Sequence, residues 1–276
     1  MDTITLWQLA ALAAASLLVG FSKTAVSGAN TISLAVFAAV LPARESTGVL
    51  LPILIVGDTL AVLVYRRHAH WPTLLRLFPA VAVGVVAGAV FMLWADDEAV
   101  ARSIGAILLF MAGVTLWRRR ARPQPAPGEG AREDGAREEG AQAEGAQEEG
   151  AQEEPSLRAG RLKARSYGVL GGFTTMVANA GGPVMSLYLL SAGFRKLGFL
   201  GTSAWFFLIV NTSKVPFSVG LGLIDAQSLM LDAALVLFVI PGAYLGRACV
   251  GRINQKLFDR IVIAATVLGG LQLLLR

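Results

Sequence analysis

Two lysines lie inside apolar stretches of the chain, where a positive charge is costly. Lys23 interrupts the first apolar stretch, and Lys214 lies near the middle of the apolar run 199–221. A cation at membrane depth is stable only beside a partner charge, a polar cavity or a ligand. One interpretation is that the lysines are neutralised by Asp58 and Asp232, the acids within or near the apolar runs. We favour the other interpretation, in which the lysines form a positive site for an anion.

Further polar residues could complete such a site. Asp58 is the one acid deep in an apolar run, and two roles are open for it: a proton carrier that is protonated in one functional state, or a static partner of a lysine. Asn179 and Asn211 could donate hydrogen bonds to an oxyanion, although amides also form ordinary bonds between membrane helices. The hydroxyl groups that could line the same cavity are those of Ser22, Thr24, Ser27, Thr174 and Thr175.

Two apolar stretches, residues 4–41 and 167–193, are each broken midway by small polar residues. Their second limbs begin with Ser27-Gly28-Ala29-Asn30-Thr31 and with Gly181-Gly182-Pro183, and capping residues or proline are typical of helix starts. A helix N-terminus carries unpaired N–H groups and a partial positive charge, which attract anions. Tight helix packing is the alternative role for the glycines. The substrate-binding candidates are therefore Lys23, Ser27, Gly28, Asn30, Thr31, Thr174, Asn179, Gly181, Gly182, Asn211 and Lys214, with Asp58 as the proton-coupling candidate.

The composition indicates a membrane protein. The chain is 55% hydrophobic and 16% charged, and its apolar runs of about 18 to 24 residues match the ~30 Å hydrocarbon core of a bilayer. The net charge of +5 reflects basic residues beside the membrane. The expected partners are therefore a small anionic substrate, the lipid bilayer and a second copy in a homodimer, with no nucleic acid. The single cysteine, Cys249, allows no internal disulfide, and no metal or cofactor motif is found, so neither is expected.

The chain divides into two halves with related motifs. Six full-length spans are predicted, three after each broken stretch, over residues 48–65, 74–94, 99–117, 199–221, 227–250 and 257–275. Gly20-Phe21 corresponds to Gly172-Phe173, and both halves contain a Gly-x-x-x-Gly pair, at Gly84 and Gly242, which favours close helix packing. The predicted domains are an N-terminal membrane repeat, 1–117, and a C-terminal membrane repeat, 166–276. Residues 118–165 between them repeat a Gly-Ala-x-x-acid pentapeptide and predict a disordered or partly helical cytoplasmic linker.

Basic residues set the expected topology. They flank four connections, at Arg66 and Arg67, at both ends of the linker, at Arg195, and at Arg252, and the positive-inside rule places all four in the cytoplasm. The second broken stretch then enters and leaves on one face. The same reasoning makes the first a hairpin from the opposite face, with both chain termini periplasmic. Because the start Met1-Asp2-Thr3 lacks the basic region of a signal peptide, we expect the first stretch to be retained.

This topology defines the predicted fold class. It is an all-α polytopic membrane protein with two inverted-topology repeats, each a broken re-entrant helical hairpin plus three transmembrane helices. Two hairpins entering from opposite faces would bring both helix N-termini and both lysines to one midplane cavity. Non-helical backbone survives in a membrane only where protein buries it or water reaches it, and paired broken helices are typical of transporters.

Three pieces of the sequence carry a resemblance to a known family. They are Ala180-Gly181-Gly182-Pro183 in the second break, the run from Gly201 to Pro216 with Gly222-Leu223 after it, and the Gly-Phe pair that opens both halves. In these motifs the chain resembles the TauE/SafE family (TSUP) of sulfite and organosulfonate exporters, over nearly all of its length except 118–163. Its first break, Ser27-Gly28-Ala29-Asn30, departs from the denser glycine run that is frequent in the family.

The resemblance implies a secondary transporter of the bacterial inner membrane. It would export a small sulfur-containing oxyanion, sulfite or an organosulfonate, by alternating access. The alternative within transport is an importer or channel for another inorganic or sulfur-containing anion. An intramembrane enzyme is disfavoured because no catalytic constellation is found. A purely structural membrane subunit would tolerate substitution of both lysines.

Overall fold

A computed structural model of the chain describes residues 5–24, 30–121, 155–194, 196–249 and 255–275. Every regular element in these residues is helical, which confirms the prediction of an all-α protein. A short 3₁₀ turn, Arg66–His68, follows the third helix. The helices are α1 (Leu6–Thr24), α2 (Asn30–Val40), α3 (Ala43–Tyr65), α4 (Trp71–Trp94), α5 (Asp97–Ala121), α6 (Pro155–Ala178), α7 (Gly181–Ser191), α8 (Lys196–Gly220), α9 (Ala226–Cys249) and α10 (Gln255–Leu275).

Five of the described helices, α1, α3, α4, α5 and α9, are long and apolar enough to cross a membrane. The last four coincide with predicted spans, so the chain is a multi-pass membrane protein. Helix α8 covers the predicted span 199–221 and carries Asn211 and Lys214 within it. Helix α1 has 19 residues, or about 28 Å at ~1.5 Å per residue. It is long enough for a span, although the sequence predicts it as one limb of a hairpin.

The second apolar stretch is interrupted where the sequence predicts, between Ala178 and Gly181, and the first contains two described helices, α1 and α2. Helices α2 and α7 that follow the breaks have 11 residues each, so at ~1.5 Å per residue neither crosses a ~30 Å core alone. In the second break, Asn179 has a φ of 51°, a left-handed conformation that asparagine tolerates better than most residues. Residues 25–29 of the first break, and the central part of the predicted linker, 122–154, lie outside the described residues.

The two halves contact each other reciprocally. Helix α1 packs most extensively on α9, and α6 packs on α4. Helix α3 also contacts α8 and α9, and α10 contacts α5 and α2. Glycines set the close approach, because a Cβ on Gly242 would lie 2.0 Å from the Leu17 backbone oxygen, and one on Gly84 would lie 2.1 Å from that of Val169. Thr24 adds a 2.8 Å hydrogen bond from its Oγ1 to the Ala243 backbone oxygen. The first limb of each broken stretch is thus held by a helix from the other half.

The connections predicted to face outward contain helix caps. Before α5, Oδ1 of Asp96 accepts a 2.7 Å bond from the Ala99 N–H. Before α9, Asp225 and Ser228 each accept a bond from the other's backbone N–H, which is a capping box. The Ser228 N–H holds the pKa of the exposed Asp225 below its usual range. These local interactions explain why α5 and α9 begin where they do.

Candidate functional site

An ion pair joins the end of α1 to the middle of α3. Nζ of Lys23, in the last turn of α1, lies 2.5 Å from Oδ1 of Asp58. Asp58 is fully buried, whereas 12% of the Lys23 side chain is exposed. The other carboxylate oxygen, Oδ2, accepts a 2.7 Å bond from Nδ2 of Asn211 on α8. Lys23 therefore has the acid partner that the first interpretation of the lysines requires.

Lys214 is held by oxygen atoms without a formal charge. Its Nζ donates to the backbone oxygen of Thr175 at 2.6 Å, to Oδ1 of Asn179 at 2.6 Å and to Oδ1 of Asn211 at 3.3 Å. Nδ2 of Asn179 in turn donates to the backbone oxygen of Thr47 at 2.9 Å. Because Lys214 is only 1% exposed, these acceptors replace its hydration shell. The two asparagines connect the second break to α3 and α8.

A cavity of about 60 Å³ lies beside these groups. One water-sized group needs roughly 10–15 Å³, so the cavity has room for a small polyatomic ion. Asn30, the first residue of α2, and Gly182, the second residue of α7, both line it, so the N-termini of both short helices reach the same cavity. The remaining lining residues are Ser22, Lys23, Leu54, Asp58, Ala61, Thr175, Asn179, Ser186, Leu200, Ser203, Ala204, Phe207 and Asn211.

The cavity extends toward one end of α3 and α8. Along α8 the lining residues run from Asn211 back to Leu200, about 16 Å at ~1.5 Å per residue. Along α3 they run from Leu54 to Ala61, toward the basic turn Arg66–His68. The cavity therefore leads from the ion pair toward the face that carries this basic turn. Lys214 lies at the other end, beyond Asn211, and its acceptors Thr175, Asn179 and Asn211 line that end of the cavity.

The structure brings together six of the predicted site residues around the cavity: Lys23, Asn30, Asp58, Asn179, Gly182 and Asn211. Lys214 contacts this set without lining the cavity, and Gly181 packs beside Thr175. Thr31 instead shares a 2.7 Å hydrogen bond with Thr266 of α10, and Thr174 donates to the Leu170 oxygen of its own helix. Ser27 and Gly28 lie outside the described residues.

The cavity residues that sequence reasoning missed include two hydroxyls and an aromatic ring, those of Ser186, Ser203 and Phe207. The ring centroid of Phe207 lies 4.5 Å from Nζ of Lys23, a distance at which a cation is attracted to the face of an aromatic ring. Residues 203, 207 and 211 are spaced by four, so helical periodicity from Asn211 would have placed the first two on its face. Likewise, Ser186 lies one helical turn after Gly182.

Comparison with known proteins decides the family. The sequence profile named sulfite exporter TauE/SafE matches residues 12–273, nearly the whole chain. The chain belongs to the TauE/SafE family. TauE/SafE proteins are membrane transporters of sulfite and related sulfur anions, which agrees with the apolar helices and identifies a transport protein. No curated protein and no solved structure gives a match.

Proposed function

We propose that this TauE/SafE protein is a secondary transporter that exports a small sulfur oxyanion, sulfite or an organosulfonate, across the bacterial inner membrane by alternating access. One observation carries the proposal: Lys23 and the N-terminal residues of two short helices, Asn30 and Gly182, line one cavity. A lysine ammonium and the positive end of a helix dipole both attract anions, and they do so more strongly in a low-dielectric interior. The N–H of Asn30 donates to Oγ of Ser22 at 3.0 Å, so at this helix start the attraction comes from the dipole.

The charge of the site supports an anionic substrate. Lys23, Lys214 and Asp58 together carry a net charge of +1 when all three are ionised. The amide groups of Asn179 and Asn211 and the hydroxyls of Ser186 and Ser203 provide neutral polar surface around this charge. A sulfite ion, with three oxygens on one sulfur, matches such a mixed set of donors. The cavity has room for an ion of this size.

The expected topology and the membrane potential support outward transport. The cavity extends toward the basic turn Arg66–His68, which the positive-inside rule assigns to the cytoplasm. We therefore assign the structure to a state that loads its substrate from inside the cell. A potential that is negative inside favours the outward movement of each net negative charge by ~2.3 kcal/mol per 100 mV.

Flux through the purified chain in liposomes tests the proposal. With the potential clamped, sulfite, sulfate, thiosulfate and sulfoacetate are compared in both directions, and we expect the fastest outward flux for a sulfur oxyanion. Lys23→Gln removes the cavity's ammonium group, so we expect at least a tenfold loss of that flux. Recovery of the transported anion without chemical change separates transport from enzymatic conversion.

Arg102→Gln is the matched control, because it also removes one positive charge. Arg102 lies in α5, pairs with Glu98 and is largely exposed, so we expect its substitution to leave sulfite flux unchanged. Equal flux in wild type and Lys23→Gln would overturn the anion site. Faster inward than outward flux under the clamp, or preference for an anion without sulfur, would favour the importer or channel instead.

A further inference from the structure

The two lysines differ in how many of their protons the protein already uses. An ammonium group has three N–H donors. Those of Lys214 are shared among four acceptors: the backbone oxygen and Oγ1 of Thr175 and the side-chain oxygens of Asn179 and Asn211. An anion could contact Lys214 only by replacing one of them. Lys214 therefore suits a fixed role, which is to orient the two amides.

Lys23 is arranged for exchange of its partner. In the described part of the chain, its Nζ contacts Oδ1 of Asp58 and lies 4.5 Å from the ring centroid of Phe207. Lys23 lines the cavity and remains partly exposed. Its ammonium group thus has donors available on the cavity side. An anion that enters the cavity meets Lys23 first, in competition with Asp58.

Asp58 cannot lose Lys23 and stay charged without a large cost. Its carboxylate is fully buried, and Asn211 would be the remaining hydrogen-bond donor. An ion left without its partner inside a protein costs several kcal/mol. Uptake of one proton removes that cost, because a neutral carboxyl group needs no counter-ion.

The charged groups around Asp58 leave it as the group that takes up a proton when an anion binds. Among the described residues, Lys23 and Lys214 are the charged groups that act on it. Helix α2, which also contacts α3, has no titratable side chain. The other titratable groups with described side chains on elements that contact α3 are Arg66, Arg67 and His68 after α3, Asp97, Glu98 and Arg102 in α5, and Asp232, Tyr244 and Arg247 in α9. Helix α3 itself also carries Arg44, Glu45 and Tyr65.

We propose that the transported anion replaces Asp58 as the partner of Lys23, and that Asp58 takes up one proton from water in the cavity when this happens. The proton bonds to Oδ1, which then donates to the anion, while Oδ2 keeps its bond from Asn211. For an anion with a single charge, the site has a net charge of +1 before and after binding, because one proton enters with the anion. Asp58 thus competes with the anion for Lys23 and couples anion binding to the uptake of one proton. Lys214 is a positioning residue.

This inference rests on the proposed function and makes the proton part of the cargo. A monoanion would cross with no net charge, and a dianion with one net negative charge. Binding should weaken about tenfold for each unit of rising pH, because one proton is taken up with each anion. The sign follows from Asp58 being ionised in the empty site and neutral in the loaded one.

Proton uptake on binding tests the inference directly. The purified chain in detergent, in weak buffer with a pH indicator, is titrated with sodium thiosulfate, which does not itself titrate near neutral pH. We expect one proton taken up per thiosulfate bound to the wild type, and none for Asp58→Asn. The Asp58→Asn variant should also bind more tightly than the wild type at high pH, with an affinity independent of pH.

Asp232→Asn is the matched control, because it neutralises another buried carboxylate, on α9 and outside the cavity lining. It should keep one proton per anion. Lys214→Met should weaken binding but keep one proton per anion. Loss of binding at every pH would instead indicate that Lys214 contacts the anion directly, and would contradict its positioning role. Binding by the wild type without proton uptake, or loss of the proton in Asp232→Asn but not in Asp58→Asn, would overturn the inference alone. Failure to bind any anion of the sulfite panel would overturn the proposed function as well.

Discussion

At the scale of single residues, Asn179 combines a backbone role with a side-chain role. Its left-handed φ of 51° ends α6 and allows α7 to begin two residues later. Its amide accepts from Lys214 and donates to the Thr47 backbone oxygen, so it joins the second break to α3. A glycine would permit the same backbone conformation but could form neither bond. The two roles can therefore be separated by substitution.

Asn179→Ala and Asn179→Gly should differ in stability while sharing the loss of the amide. A Cβ in the left-handed region costs roughly 1 kcal/mol, so we expect the glycine variant to unfold about 2–4 °C above the alanine variant in detergent. Both should bind the anion more weakly than the wild type, because Lys214 loses an acceptor. An alanine variant as stable as the glycine variant would contradict the left-handed conformation.

At the scale of helices, pairs from opposite halves hold the broken stretches in place. Helices α1 and α9 approach closely at Gly242, and α4 and α6 approach closely at Gly84. Because lipid supplies no hydrophobic driving force between helices, such contacts depend on tight packing of backbones. The position of Lys23 at the end of α1 therefore depends on a glycine more than two hundred residues away in sequence.

Gly242→Ala and Gly84→Ala should each destabilise the fold by on the order of 3 kcal/mol, because the added Cβ meets a backbone oxygen that cannot move aside. Each Cβ would lie 2.0 Å or 2.1 Å from that oxygen. Gly113→Ala is the same chemical change on α5, where no atom lies within 4 Å of the new Cβ. It should be neutral or slightly stabilising. Thermal unfolding in detergent compares the three, and equal melting temperatures would contradict close packing at these glycines.

At the scale of the whole molecule, the cavity defines which side of the membrane reaches the site. Its lining runs from Asn211 to Leu200 along α8, toward the basic turn after α3. On the opposite side, the bonds from Lys214 to Asn179 and from Asn179 to the Thr47 oxygen join α8, the second break and α3. Alternating access would require these bonds to break while the cavity closes.

Ser203→Cys, in a Cys249→Ser background, should report the open side. Ser203 lines the cavity, so a membrane-impermeant thiol reagent should label the new cysteine in inside-out vesicles and at least tenfold more slowly in right-side-out vesicles. Bound sulfite should slow the labelling. Gln227→Cys, exposed at the start of α9, is the control that reacts from the outside. Faster labelling of Ser203→Cys from the outside would reverse the assigned orientation.

Local pattern determined much of the fold. Apolar runs of membrane length, the two short helices after the breaks and the glycine pairs follow from hydrophobicity, chain length and the absence of a Cβ, all of which are properties of neighbouring residues. The same patterns identified Lys23, Asp58, Asn211 and Lys214 as polar side chains whose burial at membrane depth costs free energy. The matching family profile agrees with a transporter.

Only the tertiary structure decided how these polar residues are paired. Asp58 joins Lys23 on α1 and Asn211 on α8, across 153 residues in the second case, while Lys214 finds oxygens in the second break and on its own helix. Thr31 and Thr174, which the sequence placed in the site, turn to other helices or to their own backbone. Periodicity fixes the face of a helix on which a residue lies, but the residue opposite depends on helix packing between distant segments, which no local pattern contains.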